Sequence, residues 1–268
     1  MGRYLYCGPF FASSVMAGYA LLLAGSEEAK TRMLPEIAAG SLIATLVLDN
    51  LNSLDLVGQK VLVNNGRLNG AADLVVDAQN ASQLLVIASS GDELGLFSVA
   101  TDSAGIGILP VEALDPTRKL ARVTFDDVEV ERVGDVSSEI LDQIWDYLNV
   151  ALAHEMVGGA QRLLDTTIEY TKIRYQFGRP IGSFQGLKHR CADLLMELEF
   201  ARAATHYAAF CLAAGDGEPY VSSMAKAMAS ETYMNAAKEA VQMRGGIGFT
   251  WEEDTHLWYK RAKSSEVF

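Results

Sequence analysis

The sequence predicts an α+β fold in which a short helical segment precedes a β domain and a helical bundle follows it. Apolar residues are dense from Phe10 to Ala24, short β-rich runs with turn residues fill 41–134, and long helical patterns fill 135–268. Short strands with frequent turns are typical of a small antiparallel barrel or sandwich. Long apolar-periodic helices with short connections are typical of an antiparallel bundle. We therefore predict domains at 1–40, 41–134 and 135–268.

The helical segment contains two helices separated by a clear stop signal. Gly25 ends the first helix, and Ser26 is an N-cap type that precedes the acidic residues Glu27 and Glu28. Acidic side chains in a first turn are favoured by the helix dipole. We expect the second helix to run from Lys30 to Ala39 and to end at Gly40.

The β domain and the bundle are predicted from runs bounded by turn and break signals. The strand-like runs are Leu42–Leu48, Leu84–Ala88, Gly107–Val111 and Ala121–Phe125, with turns at Asn64–Gly66 and Asp115–Thr117. The long helices are predicted at Ser137–Ile173, Leu187–Ala213 and Pro219–Met243. Gly215-Asp-Gly217 breaks the last two apart, and Pro219 suits a first helical turn.

Composition excludes several classes of function. The 268 residues carry 22 Lys and Arg against 34 Asp and Glu, a net charge of −12, which argues against a nucleic-acid partner. A nucleotide cofactor needs only one or two local cations and stays allowed. The three cysteines have neither zinc-site nor disulfide spacing, and the first 23 residues have neither a signal peptide nor a membrane span. We therefore expect a cytoplasmic protein without a metal site.

Two motifs carry the chemistry. The first is Arg174-Tyr-Gln-Phe-Gly-Arg-Pro-Ile-Gly-Ser-Phe-Gln185, in which a guanidinium at a helix end can pair with a pyrophosphate and amides can bond a ribose or flavin. The second is Gln242-Met-Arg-Gly-Gly-Ile-Gly-Phe-Thr250, whose glycines let backbone approach a ligand without a Cβ clash. For the first motif, the alternative interpretation is an arginine that only ends a helix. For the second motif, it is a C-cap turn without a binding role.

These two motifs resemble the C-terminal flavin-binding signatures of the acyl-CoA dehydrogenases. The resemblance covers nearly the whole chain, since Gly25–Lys30, Asp115–Arg118, Phe125–Val128 and Ala160–Asp165 also look like family segments. It implies that 1–40 is the remnant of an N-terminal helical domain. It also implies FAD as cofactor, an acyl-CoA substrate, a like or unlike dehydrogenase subunit as partner, and an electron-transfer flavoprotein as acceptor. The adenosine pyrophosphate end of the mate's FAD would contact Arg174, Gln176, Phe177, Gln185, Gln242, Gly245 and Gly246.

The sequence departs from the family pattern where the flavin ring and the catalytic base are expected. Leu48–Ser53 lacks the family's Thr-Glu-Pro and Gly-Ser-Asp residues, and Leu74–Asp77 lacks its Trp-Ile-Thr segment. The family's usual catalytic Glu would fall one residue beyond Phe268, and the alternative position near Leu148 is no acid. We therefore assign no catalytic residue. Acids close to these positions, which the sequence favours as solvated or paired groups, are Asp146, Glu155 and Glu266.

Three functions stay open at this point. The leading one is a subunit that supplies FAD contacts to a partner and lacks its own base. The second is a truncated but self-sufficient homo-oligomeric dehydrogenase, and the third is a flavin-free scaffold with the same fold. His256, which follows three acids, and Lys188-His189-Arg190, which could meet a CoA phosphate, are both interpreted as solvated residues.

Overall fold

The structure is a computed structural model that describes residues 1–48, 61–91 and 93–268, and it confirms the α+β class. These residues form two compact units. The first is helical and joins Met1–Cys7, Leu114–Thr117 and Asn149–Phe268. The second contains the sheet and spans Gly8–Ala113 and Arg118–Leu148. Among the helices of the described residues, none has the length and apolar character to cross a bilayer.

The sheet unit begins with the two predicted helices. A π-helix over Phe11–Ala17 continues directly into α1, Gly18–Ala24. The first predicted helix therefore exists, but its first half has the i→i+5 hydrogen bonds of a π-helix. Helix α2, Glu27–Ala39, begins where Ser26 Oγ accepts a 3.2 Å hydrogen bond from the Ala29 amide. It ends at Gly40, whose φ of 74° places it in the left-handed region.

Eight strands form one mixed sheet. They are β1 Ala44–Val47, β2 Val61–Asn64, β3 Arg67–Val76, β4 Gln83–Ser90, β5 Glu93–Ala100, β6 Ile106–Val111, β7 Leu120–Glu129 and β8 Glu131–Val136. Among the described residues the order is β6-β7-β3-β2-β4-β5-β8, with β1 also paired to β4. The sheet is not purely antiparallel as predicted, because both β1 and β2 run parallel to β4. Alternation of apolar residues reports which face a side chain occupies but not the direction of the neighbouring strand.

The predicted turn at Asn64–Gly66 joins β2 to β3. Asn65 and Gly66 have φ values of 51° and 74°, as a two-residue hairpin with primed turn geometry requires. The inward side chains of the strands form one apolar core, which includes Leu68, Val86 and Phe97. Residues 49–53, where the flavin-cradle departure was noted, lie outside the described residues. The second departure lies at the end of β3, where Leu74 has a φ of 58° beside a register shift.

The helical unit is built from long helices close to the predicted ranges. They are α3 Ser138–Ile173, of which residues from 149 belong to this unit, α4 Gln185–Ala214, α5 Val221–Arg244 and α6 Thr255–Val267. Gly215, with a φ of 64°, caps α4 as the break signal predicted. Pro219 lies two residues before α5 instead of in its first turn, because Tyr220 is the N-cap. We did not predict α6 from the sequence.

Helices α4 and α5 pack antiparallel. Arg190 pairs with Glu239 at 2.9 Å, and Glu197 accepts a 3.2 Å hydrogen bond from Asn235. As the residue number rises along α4, the number of its partner falls along α5, which is the signature of opposite directions. The predicted antiparallel bundle is thus present in this pair of helices.

A buried arginine on α6 joins the separate segments of the helical unit. Arg261 is 4% exposed and donates to Asp115 Oδ2 at 2.9 Å and to Glu155 Oε1 at 2.7 Å. Its other donors reach the carbonyl oxygens of Thr117 at 2.7 Å and Tyr6 at 3.3 Å. Burial alone lowers the pKa of Arg261, but the two carboxylates outweigh it and raise the pKa. One guanidinium therefore ties together chain segments that are distant in sequence.

Candidate cofactor site

Six of the seven predicted cofactor residues line one groove. The groove has a volume of about 640 Å³ and forms where α3 ends, α4 begins and α5 ends. The predicted residues in its wall are Arg174, Gln176, Phe177, Gln242, Gly245 and Gly246. Two motifs about sixty residues apart in the sequence therefore meet in space.

A small hairpin carries the first motif. Its strands are β9, Tyr175–Gln176, and β10, Arg179–Pro180. The carbonyl oxygen of Arg174 accepts a 2.8 Å hydrogen bond from the Ile181 amide, which fixes the base of the hairpin. Phe177 and Gly178, with φ values of 55° and 77°, form the turn of this hairpin. The geometry holds Arg174 and Gln176 at the groove and leaves Phe177 90% exposed.

The cations around the groove differ in how they are engaged. Arg190 is paired with Glu239, and Arg179 lies over the ring of Phe184 at 4.1 Å. Arg174 is exposed, and no acid in the described part of the chain pairs with its guanidinium. Because its donors face solvent at a groove wall, the Arg174 guanidinium could pair with a phosphate.

The glycines of the second motif serve different purposes. Gly245 has a φ of 66°, which favours glycine for backbone reasons alone. Gly248 is packed, since a Cβ there would lie 2.9 Å from the Val241 carbonyl oxygen. A Cβ at Gly246 would meet no atom within 4 Å. Packing within the described chain therefore requires glycine at Gly248 but gives no reason for one at Gly246.

Gln185 is the one predicted residue that the groove wall does not include. It is exposed and is the first residue of α4, and its neighbours Phe184 and Gly186 do line the groove. The helix start therefore faces the groove, although the Gln185 side chain is not part of the wall.

Sequence reasoning missed Arg244, which lies between Gln242 and the glycines. Its guanidinium is 3% exposed and donates to Glu253 at 3.0 Å and to Thr167 at 2.8 Å. It also lies 5.4 Å from the centre of the Tyr170 ring. Burial lowers the pKa of Arg244 and the Glu253 carboxylate opposes that shift. The position of Arg244 inside the Gln242 motif was the available signal. Its acid partner Glu253 is half-buried and lies nine residues further along the chain, outside the motif.

A second depression shares its wall with the groove. It has a volume of about 700 Å³ and is lined by Gln242, Gly245 and Gly246 on one side and by aromatic and basic side chains on the other. His256 belongs to it and packs edge-on against Trp251 at 4.5 Å. It is half-buried, whereas the sequence favoured a solvated residue. Burial, and then the charge of Lys260, lower the pKa of His256.

The acids considered as substitute bases occupy structural positions. Glu155 is held by Arg261, and Glu266 pairs with Lys263 at 2.6 Å. Asp146 is half-buried on α3 and interacts within the chain. Leu148 is buried, as an apolar residue at that position should be. Within 1–48, 61–91 and 93–268, no group of His, Cys, Asp and Glu could hold a metal ion.

The chain is similar to known proteins of one family. Residues 145–268 match the family model for the acyl-CoA dehydrogenase C-terminal domain. The acyl-CoA dehydrogenase IpdE2 of Mycobacterium tuberculosis is 37% identical over 265 residues, covering 99% of this chain and 69% of that protein.

Solved structures share the fold over nearly the full chain. The Tcur3481-Tcur3483 steroid ACAD variant has a TM-score of 0.87 and 28% identity, over 98% of this chain and 73% of that one. The ChsE4-ChsE5 complex from Mycobacterium tuberculosis has a TM-score of 0.88 and 25% identity, over 99% of this chain and 73% of that one. The chain belongs to the acyl-CoA dehydrogenase family, whose members are FAD-dependent oxidoreductases.

Proposed function

We propose that this chain is one subunit of an FAD-dependent acyl-CoA dehydrogenase whose groove grips the adenosine pyrophosphate end of a partner subunit's FAD. The observation that carries the proposal is Gly246. Its missing side chain faces open space, so packing within the described chain does not account for the glycine. A ligand lying against the backbone at Gly246 does account for it.

The residues of the groove suit a nucleotide. Arg174 offers paired N–H donors to the pyrophosphate, and the amides of Gln176 and Gln242 offer both donors and acceptors to sugar hydroxyls or flavin substituents. The start of α4, a helix of 30 residues, lines the same groove and adds the positive end of its dipole. We place Gln185 there as a contact at the rim, and the exposed ring of Phe177 as an apolar contact with a second chain.

The reaction is the α,β-dehydrogenation of an acyl-CoA thioester. Bound FAD would supply the hydride acceptor for the β-hydrogen, and a carboxylate, which we do not assign to this chain, would take the α-proton. The part of this chain is to bind the nucleotide, to neutralise phosphate charge through Arg174 and to orient the cofactor. We assign no proton transfer to Glu155 or Glu266, because each is held in an ion pair.

The similarity to solved proteins supports a class of partner and a class of substrate. The likeness to the ChsE4-ChsE5 complex supports a heteromeric assembly, and the likeness to a steroid ACAD supports a bulky acyl-CoA such as a steroid side-chain thioester. Electrons would leave through an electron-transfer flavoprotein. The three-domain division at 1–40, 41–134 and 135–268 remains a prediction.

The test compares flavin absorbance at 450 nm for the purified chain alone and for the chain purified with an acyl-CoA dehydrogenase-like partner. We expect flavin in the pair and none in the chain alone. Arg174→Ala should lower flavin affinity about 30-fold, since a hydrogen-bonded charge contributes roughly 2 kcal/mol. Lys172→Ala is the matched control, because Lys172 is an exposed cation two residues away that pairs with Glu169 and does not line the groove.

Two other outcomes would change the assignment. Flavin retained by the chain alone would mean that its own β domain binds the ring, and the self-sufficient homo-oligomer would then be favoured. Colourless protein in every combination would favour the flavin-free scaffold. Gly246→Ala should weaken flavin binding with no loss of stability, whereas Gly248→Ala should destabilise the fold because its Cβ has no room.

A further inference from the structure

The glycine-rich loop after α5 leaves its helix in a direction that differs from two other helix ends of this chain. Gly40 and Gly215 end α2 and α4 with ψ values of 12° and 25°, which is the ordinary left-handed cap. Gly245 has a φ of 66°, close to the 64° of Gly215, but its ψ is −142°. The peptide between Gly245 and Gly246 is therefore turned by 167° relative to the peptide that follows Gly215.

This turn reverses the directions of the two polar groups of the peptide. In the ordinary cap the next N–H points back at the helix, as the Asp216 N–H does when it donates to the Cys211 carbonyl oxygen at 3.1 Å. Because a peptide is planar, a turn of 167° directs the Gly246 N–H away from the end of α5. Gly246 also lines the groove. The loop therefore gives up the usual cap bond and presents a backbone donor at the groove wall.

The side chain of Arg244 makes hydrogen bonds at this helix end. Its Nη1 donates to the carbonyl oxygen of Ala240, in the last turn of α5, at 3.2 Å and to Thr167 Oγ1 on α3 at 2.8 Å. Its Nε donates to Glu253 Oε1 at 3.0 Å. A cation beside the last carbonyl groups of a helix is favourable. One side chain thus ties the end of α5 to α3 and to the residues beyond the loop.

The pair of Arg244 and Glu253 closes the glycine-rich loop at its base. The two residues are nine positions apart, and three glycines lie between them. Glu253 is itself held, since Thr255 Oγ1 donates to the same Oε1 atom at 2.7 Å and Thr255 is buried. Joining the two ends of a short loop removes conformations that its glycines would otherwise adopt. The pair therefore restricts the orientation of the loop.

We infer that Arg244 is a positioning residue for the nucleotide of the flavin. Its hydrogen bonds hold the peptide between Gly245 and Gly246 in the turned orientation, in which the Gly246 N–H can donate to a phosphate oxygen. Arg244 acts through the loop, because its own side chain is 3% exposed and is bonded within the chain. The inference rests on the proposed function, since the orientation of the loop matters only if the groove holds a nucleotide.

The alternative role for Arg244 is support of the fold alone. A buried ion pair recovers little more than the cost of desolvating its charges, so an apolar side chain of similar volume would stabilise this helix end about as well. An apolar side chain has no directional bonds that could hold the loop in one orientation. The two roles differ in a measurable property, because positioning changes the flavin affinity of protein that is already folded.

The test titrates FAD into the flavin-free pair of this chain and an acyl-CoA dehydrogenase-like partner and follows flavin fluorescence. Thr167→Val removes the hydroxyl that accepts from Arg244 and nearly keeps the shape of the side chain. Arg244→Lys keeps the charge, but one ammonium group cannot reproduce the planar fork of donors. We expect each variant to bind FAD about tenfold more weakly, which is the size of one lost hydrogen bond.

Two controls separate positioning from stability. Thr167→Ser keeps the hydroxyl and should bind FAD as the wild type does. Arg261→Lys changes a buried arginine of the same unit whose bonds lie outside the loop, so it should leave the affinity of the folded pair unchanged. Combining Thr167→Val with Arg244→Lys should weaken binding no more than Arg244→Lys alone, because both changes remove the same hydrogen bond. Circular dichroism measures the folded fraction of each variant.

Two results would overturn the inference. They are Arg244→Lys and Thr167→Val pairs that bind FAD as tightly as the wild type, and an Arg261→Lys pair that loses as much affinity as they do. Thr167→Val keeps the test decisive if Arg244→Lys fails to fold, since it removes one neutral group. Arg174→Ala distinguishes the failures. If it weakens FAD binding and the other two changes do not, only the inference fails, whereas a wild-type pair that binds no FAD refutes the proposed function as well.

Discussion

Replacing Arg261 by methionine should destabilise the helical unit by about 3–5 kcal/mol, the usual cost of breaking a buried ion pair by removing one partner. The side chain of Arg261 is 5% exposed, and its partners Asp115 and Glu155 are 1% and 14% exposed. Without the guanidinium, the buried Asp115 and the half-buried Glu155 each lose an ion-pair partner, and the carbonyl oxygens of Thr117 and Tyr6 lose a donor.

The size of the effect can be read from chemical unfolding. With a urea m-value of about 2 kcal/mol per molar, a loss of 4 kcal/mol moves the midpoint by about 2 M. Arg261→Lys keeps the charge but loses the planar fork, so we expect an intermediate loss of about 1–3 kcal/mol. Adding Asp115→Asn to Arg261→Met should cost less than the sum of the single changes, because the double variant no longer buries that unpaired charge.

Urea unfolding followed by circular dichroism at 222 nm, together with hydrogen exchange of peptides from 149–268, measures the change. The second readout is needed because two compact units need not unfold together. Lys263→Met on the same helix is the control, since its pair with Glu266 is about half exposed and surface ion pairs contribute little to stability. A loss below 1 kcal/mol for Arg261→Met would refute the argument.

Three further outcomes follow from single contacts. Gly159→Ala should lower stability by about 1–3 kcal/mol in thermal unfolding, because its Cβ would lie 2.5 Å from the buried ring of Tyr233. The NMR signal of His256 can be identified by its absence from the spectrum of His256→Gln. In the wild type this signal should titrate with a midpoint below pH 6.5, because burial and then Lys260 lower the pKa of His256. Stability from neutral His256 is then full above pH 6.5 and falls as the pH drops through the lowered pKa. Cys191 should react slowly with a thiol reagent at pH 8, because burial and then Glu239 raise its pKa.

Each of these outcomes has a comparison inside the molecule. Gly186→Ala should be neutral for stability, because a Cβ there would meet no atom within 4 Å. Cys7 is exposed and should react with the same reagent before Cys191 does. A midpoint for the His256 signal at or above 6.5 would contradict the assigned burial of that ring.

Local signals accounted for much of the fold. The Ser26 cap, the stop at Gly40 and the turn at Asn65 and Gly66 each follow from one or two residues whose backbone preferences are strong. The break at Gly215 follows for the same reason. The π-helix at Phe11–Ala17 could not be predicted, because its apolar periodicity is too close to that of an α-helix over seven residues.

The sequence predicted which residues line the groove, but it did not predict where in the fold the groove forms. Arg174 and Gln242 were chosen because guanidinium and amide groups beside glycines suit a nucleotide, and both line the groove. Arg244 was missed because its meaning depends on Glu253 and Thr167, which no local pattern connects to it. Gln185 was chosen by resemblance. At the start of α4 its neighbours Phe184 and Gly186 line the groove, and Gln185 does not.

By itself the sequence determined the class of fold, the approximate bounds of α3, α4 and α5 and the residue types of the groove, because caps, turns and apolar periods act over a few residues. Only the tertiary structure decided the parallel pairing of β1 with β4, the ion network of Arg261 and the meeting of the two motifs at one groove. These features depend on which distant segments meet, and the free energy that selects them comes from burial and charge pairing across the folded chain.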